Sequence, residues 1–107
     1  MITIHRTAQF DAWLSRLKDT KGKGRIVHRV RAAERSNFGD SSSVGRGVFE
    51  MRIHYGPGYR VYFTRQGRAA YVLLCGGTKR TQKADVRKAR TLAELLKRTD
   101  RGKNQQD

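Results

Sequence analysis

Between Phe49 and Asp85 the chain reads FEMRIHYGPGYRVYFTRQGRAAYVLLCGGTKRTQKAD, with arginines, tyrosines and a histidine recurring at alternate positions. Alternate residues of a strand share a face. Arg52 and His54 would therefore lie together on one strand, beside Arg60 and Tyr62 on the next, while Lys79 and Arg80 enter from the turn after a third. Such side chains would converge on a space the size of a phosphate. Cleavage of RNA by its own 2′-hydroxyl needs that oxygen to lose a proton, the crowded phosphate to be stabilised, and the 5′-oxygen to gain a proton. None of these steps requires a metal. Histidine ordinarily titrates near neutrality, so His54 is the first candidate for acid or base. Arg60 and Arg52 would grip the non-bridging oxygens, where charge grows in the transition state. Tyr62 and Tyr59 would stack on a base or donate a hydrogen bond, and Lys79 or Arg80 would face the leaving oxygen. An arginine, with a pKa above about 12, is a poor proton donor.

These residues need a sheet to hold them. Phe49, Met51, Ile53 and Tyr55 alternate with Glu50, Arg52 and His54, which predicts a half-buried strand from Val48. Gly56-Pro57-Gly58 reverses the chain into a second strand, Tyr59 to Thr64, with Tyr59, Val61 and Phe63 inward. Gln66-Gly67 turns it again into Ala69 to Cys75, the most apolar strand, so the three form an antiparallel meander. Glu50 and Arg52 read as an exposed pair of little energetic value.

Upstream, Met1 to His5 reads as a short strand, and Thr7 as the cap of a helix whose Phe10, Trp13, Leu14 and Leu17 recur at helical spacing. A basic connection, Thr20 to Gly24, leads to a second helix ending near Arg35, with Ile26, Val27, Val30 and Ala33 inward and Arg25, Arg29 and Arg31 outward. Arg25 and Arg29 are candidate contacts to RNA or ribosome. Ser36 to Gly47 is rich in Gly, Ser and Asn and reads as a surface loop. After Gly76-Gly77 a last helix carries Val86, Ala89, Ala93 and Leu96, with Lys83 and Arg87 as further substrate-binding candidates. Thr91 and Glu94 could cap a fresh turn within it. The expected organisation is one domain over residues 1–98 and a polar, frayed tail over 99–107.

The chain has 107 residues, 24 Lys+Arg against 9 Asp+Glu, and a formal charge of +15. That charge predicts salt-sensitive attraction to polyanions, nucleic acid first. Residues 79 to 103 alone hold ten basic and three acidic side chains, a net of +7. The single cysteine, Cys75, reads as buried in an apolar run. Three scattered histidines without further cysteines or a carboxylate cluster indicate no metal site, and GxGKS is absent. No run reaches the ~20 apolar residues of a membrane span, and the start lacks the pattern of a secretion signal. The reading is a cytoplasmic protein without a cofactor.

The segments FEMRI (49–53), GPGYRVYF (56–63) and LLCGGTKRTQKAD (73–85), with the loop Asn37-Phe38-Gly39-Asp40, resemble the HigB-like branch of the RelE/ParE toxin superfamily. That branch is also described as phage Gp49-like or addiction-module killer proteins. The resemblance spans roughly residues 1–97. It implies an α+β fold in which an N-terminal helical pair packs on a small, mainly antiparallel twisted sheet, followed by a C-terminal helix. It also implies the toxin of a type II toxin–antitoxin system, a ribosome-dependent endoribonuclease that cuts mRNA, uses no metal and is neutralised by a cognate antitoxin. Operator DNA would be bound only through the antitoxin complex. Arg60 matches the arginine of the family's GYR strand, Arg52 a basic residue on the preceding strand, and Lys79-Arg80 the basic pair after strand three. Two features depart from that pattern: Val86 stands where some relatives carry a helical tyrosine, and Glu50 lies near the place of a second lysine. A ParE-like gyrase inhibitor and a non-catalytic nucleic-acid-binding module are the competing readings.

Overall fold

The structure is a computed structural model that describes residues 2–106, with side chains from 2 to 99. Strand β1 (Thr3–Arg6) leads into the helical pair α1 (Ala8–Arg16) and α2 (Thr20–Glu34). Strands β2 (Ser41–Gly45), β3 (Val48–Ile53), β4 (Tyr59–Gln66) and β5 (Ala70–Thr78) follow, and a 3-10 turn at Lys79–Thr81 opens α3 (Gln82–Gln106). The five strands lie in the order β1-β5-β4-β3-β2, with β1 parallel to β5 and every other pair antiparallel. The expected α+β architecture is the observed one, and no helix of the described residues is long and apolar enough to cross a membrane. Met1, placed in the first strand by sequence, lies outside the described residues.

Period two in β3 and β4 sorts their side chains as expected. Met51, Ile53, Tyr59, Val61 and Phe63 meet Phe10, Ile26 and Leu73 in a core under α1 and α2. The opposite face, expected from the sequence to meet water, is instead covered by α3. Val48, Tyr62, Val72, Leu74 and the free Cys75 pack there against Ala89 and Ala93. The sheet is thus covered on both sides, and its polar residues cluster at the end where β3 finishes and β4 begins.

Three boundaries differ from the reading. Within the expected loop, Ser41–Gly45 forms β2, because pairing with β3 from Ser41↔Met51 to Gly45↔Val48 overrides the low strand propensity of serine and glycine. The expected connection at Thr20 to Gly24 is the start of α2, since the Asp19 carboxylate accepts from the Gly22 N–H at 3.0 Å and caps the helix. Thr91 does not interrupt α3. Its hydroxyl donates to the Arg87 carbonyl one turn back at 3.1 Å, and the helix runs on through the expected tail to Gln106.

Gly76 and Gly77 sit between two packed side chains. The Trp13 ring lies over Gly76, and a Cβ at Gly77 would overlap Asp85 Oδ2 and come 2.8 Å from Thr81 Oγ1. Asp85 is buried, so it has little room to yield. Gly77→Ala should cost about 3 kcal/mol through overpacking, read as a lower urea midpoint. Gly24→Ala meets open space on an exposed helix and should instead stabilise by about 0.5–1 kcal/mol.

Candidate functional site

Glu50 is the centre of the polar cluster. Its side chain is only 2% exposed, and donors reach it from three elements. Arg52 Nη1 donates to Oε1 at 2.9 Å; the Tyr62 hydroxyl and Gln82 Nε2 donate to Oε2 at 3.0 and 2.8 Å. Arg60 Nε lies 3.3 Å from the same oxygen as an ion pair, without hydrogen-bond geometry. Burial alone would push the Glu50 carboxyl up, but the Gln82, Arg52 and Tyr62 hydrogen bonds and the charge of Arg60 outweigh it, and the net shift is downward. Its contribution to stability is therefore complete above the ordinary glutamate value of about 4.3 and is lost as pH falls through the lower folded value. Thermal melting between pH 5 and 2 should show a fall in Tm that is shallower in Glu50→Gln. Asp40, also held low, would leave part of the slope in place.

Arg60 and Lys79 both approach Gly58 at one corner. Strand pairing sets Arg60 opposite both Arg52 on β3 and Gly77 on β5. Gly58, with φ of +78°, brings the chain close: a Cβ there would lie 3.3 Å from Lys79 Cβ and 3.7 Å from Arg60 Nη1. Arg60 Nη1 donates to the Gly58 carbonyl at 3.3 Å, and the guanidinium is 12% exposed. Its Nε is the one buried side-chain nitrogen or oxygen among the described residues without a hydrogen bond. The turn bearing Lys79 and Arg80 is fixed from below. Thr78 N–H donates to Thr81 Oγ1 at 3.1 Å, and that hydroxyl donates to Asp85 Oδ2 at 2.5 Å. Lys79 and Arg80 themselves are exposed.

Arg52 and His54 share Asp40. Arg52 forks onto both Asp40 oxygens at 3.1 and 2.7 Å and also donates to Ser42 Oγ at 3.0 Å. His54 Nε2 stands 2.5 Å from Asp40 Oδ2, and the histidine is 73% exposed. Hydrogen bonds from Arg52 and then from His54 hold the Asp40 carboxyl well below the usual carboxylate range. An ionised Asp40 accepts a hydrogen bond from Nε2–H, which leaves Nδ1 as the ring nitrogen with a free lone pair. His54 also borders a cleft of about 720 Å³ lined by Lys21, Arg25, His28, Arg29 and Ile53.

The remaining candidates divide between surface and scaffold. Tyr62 was expected on an exposed face but is fully buried under α3, and burial together with the Glu50 charge holds its hydroxyl well above the ordinary tyrosine value. It reaches the corner through Glu50. Tyr59 is also interior, donating to Asp19 Oδ2 at 2.8 Å and packing edge-on to Trp13. Arg29 clasps the backbone, donating to the Arg52 and Phe38 carbonyls at 2.6 and 2.8 Å. Arg25 covers the Tyr55 ring at 4.6 Å, while Lys83 and Arg87 stand exposed beside Val44. Glu50 is not the exposed partner of Arg52 that the sequence suggested. Together with Gln82, Asp40 and Asp85 it completes the cluster; Glu50 left a signal in its strand parity with Arg52, and the other three lie in the segments 37–40 and 73–85 that carry the family resemblance.

Among the described residues no three His, Cys, Asp or Glu side chains are grouped so as to hold a metal ion. The family model "Phage derived protein Gp49-like (DUF891)" matches residues 12–97, which contain the whole cluster. The chain belongs to the Gp49-like family. It is thereby a member of the RelE/ParE-like toxin superfamily, in agreement with its helical pair, mainly antiparallel sheet and C-terminal helix. An uncharacterized protein of Haemophilus influenzae (strain ATCC 51907 / DSM 11121 / KW20 / Rd) is 46% identical over 95 residues, covering 89% of this chain and 96% of that protein. No solved structure is a significant match.

Proposed function

We propose that this Gp49-like protein is the toxin of a type II toxin–antitoxin pair and acts as a ribosome-dependent mRNA endoribonuclease. The observation that carries this reading is the corner where a buried carboxylate, Glu50, faces Arg60 while Gly58 brings Lys79 alongside. A guanidinium oriented in advance by a buried anion is suited to receive charge that develops on a phosphate, because little reorganisation accompanies the reaction.

In the proposed reaction the 2′-oxygen attacks the adjacent phosphorus and the bond to the 5′-oxygen breaks, giving a 2′,3′-cyclic phosphate and a 5′-hydroxyl. Arg60 binds the non-bridging oxygens, and Lys79 or Arg80 stabilises the leaving oxygen. His54, oriented by Asp40, takes the 2′-hydroxyl proton at Nδ1 and returns it to the departing 5′-oxygen. Tyr62 and Gln82 position Glu50 and do not touch the substrate. Arg25, Arg29, Lys83 and Arg87 attract the RNA and the ribosome, and a cognate antitoxin neutralises the protein. The protein acts in the cytoplasm, and operator DNA is bound through the antitoxin complex.

Expression from a tight promoter, with RNA 5′ ends mapped beside an Arg60→Ala control, tests the reading. Cuts in translated regions that disappear in the variant are expected. Growth arrest with intact messages and inhibited gyrase would instead place the protein with the gyrase-directed toxins.

A further inference from the structure

The turn between β2 and β3 carries an arginine in an unfavourable conformation. Arg46, flanked by Gly45 and Gly47, has φ of +55°, in the left-handed region where a side chain is disfavoured and glycine is not. Arg46 lines one wall of a groove of about 470 Å³, whose other wall is the α3 face bearing Arg87, Arg90, Glu94 and Arg98. Four arginines and one glutamate leave this groove at +3 (4 − 1).

Each charge has a traceable status. Arg90 is pinned to the Val44 carbonyl, which accepts from both Nε and Nη2, so it forms a fixed floor. Arg98 lies 3.8 Å from Glu94 in an exposed pair of little strength. Arg46 and Arg87 are exposed, and no hydrogen bond or ion pair joins either side chain to another described residue. From Arg87 to Arg98 the stripe follows one helix face for about 16 Å, a length over which a strand places several phosphates.

We propose that this groove is a second binding site for the RNA backbone, distinct from the Arg60 corner, and that Arg46 and Arg87 each contact a phosphate. The inference rests on the reading of the protein as an RNA-acting toxin. Nucleic acid fits better than a protein partner, because a protein interface is built around a contiguous apolar centre. Leu95, 51% exposed, is the one large exposed hydrophobic side chain among the described residues. Guanidinium groups match phosphate oxygens in paired hydrogen bonds, and a lone apolar residue between them suits a base or ribose.

The test uses the full chain carrying Arg60→Ala, to prevent cleavage, with and without Arg46→Gly plus Arg87→Gln. Binding of an unstructured single-stranded RNA is followed by fluorescence anisotropy from 50 mM to 1 M salt. Two lost phosphate contacts should make the log–log salt slope shallower by about 1.4, so that affinity is roughly 25-fold lower at 0.1 M salt and the difference closes at 1 M. Arg46→Gly relieves the left-handed backbone, so its melting temperature should equal or exceed that of the parent. Arg16→Gln plus Lys18→Gln removes the same charge from the end of α1 and the connection after it, and should change the slope much less. An unchanged slope in the groove variant, or an equal change in the Arg16–Lys18 control, overturns the proposal. So does loss of binding to polyglutamate with RNA binding intact, which would assign the groove to an acidic protein. If the protein with Arg60 intact leaves translated messages uncut, the toxin reading itself fails. If it cuts them and the groove variant binds RNA normally, only the groove is wrong.

Discussion

Arg60→Ala should lower the rate of message cleavage by about 10²–10³-fold, the usual consequence of removing one fixed donor that stabilises transition-state charge. Arg60→Lys should recover only part of this, because an ammonium keeps the charge but lacks the planar fork that matches two phosphate oxygens. The protein should stay folded in both variants, since Glu50 retains its hydrogen bonds from Gln82, Tyr62 and Arg52. Rates measured on ribosome-bound message, beside circular dichroism of the same samples, separate lost chemistry from lost structure.

Glu50→Ala should be the most destabilising single substitution in the cluster. Removing one partner of a buried ionic network typically costs about 3–5 kcal/mol, because the charges and donors left behind stay buried. Here the buried Tyr62 hydroxyl and the largely buried Arg60 guanidinium would be left, against a total stability of about 5–15 kcal/mol for a domain. Glu50→Gln keeps an acceptor for the Tyr62 hydroxyl and should cost much less in a urea melt. Its effect on cleavage reports positioning. In the Arg60 protein it should reduce the rate, and in the Arg60→Ala background it should change little, because the carboxylate acts through the guanidinium it orients. Equal losses in both backgrounds would show that Glu50 serves the reaction by another route.

Much of this architecture was legible residue by residue. The alternation from Phe49 to Phe63 assigns the inward face of β3 and β4, and the Thr7 cap and the stripe from Phe10 to Leu17 mark α1. β2 was hidden because Ser41-Ser42-Ser43 has no apolar alternation, and its strand exists through pairing with β3. The burial of Tyr62 was hidden for a different reason. Parity puts Tyr62 opposite Phe63, but only the docking of α3 decides whether that side meets water or Ala89 and Ala93. A hint was present in β5, where Val72 and Leu74 alternate with Leu73 and both faces are apolar, as in a strand covered on two sides.

The same distinction holds at the site. Arg52, Arg60 and Lys79 were readable because strand spacing and one short turn bring them together. Gln82 reaches Glu50 across 32 positions, and Asp40 reaches His54 from a loop, so neither contact has a local pattern. The carboxylates change how the site works. Asp40, Ser42 and Glu50 together occupy four of the five N–H donors of Arg52, which leaves Arg60 and Lys79 as the proposed phosphate ligands.

The chemistry assigned to this corner turns on the nucleophile. A message carrying 2′-O-methyl at the nucleotide just before one mapped cut should be bound by the toxin–ribosome complex as before and cut normally elsewhere, yet remain intact at that bond. Continued cleavage there would show that water or another nucleophile attacks the phosphorus, and would contradict cleavage by the RNA's own 2′-hydroxyl.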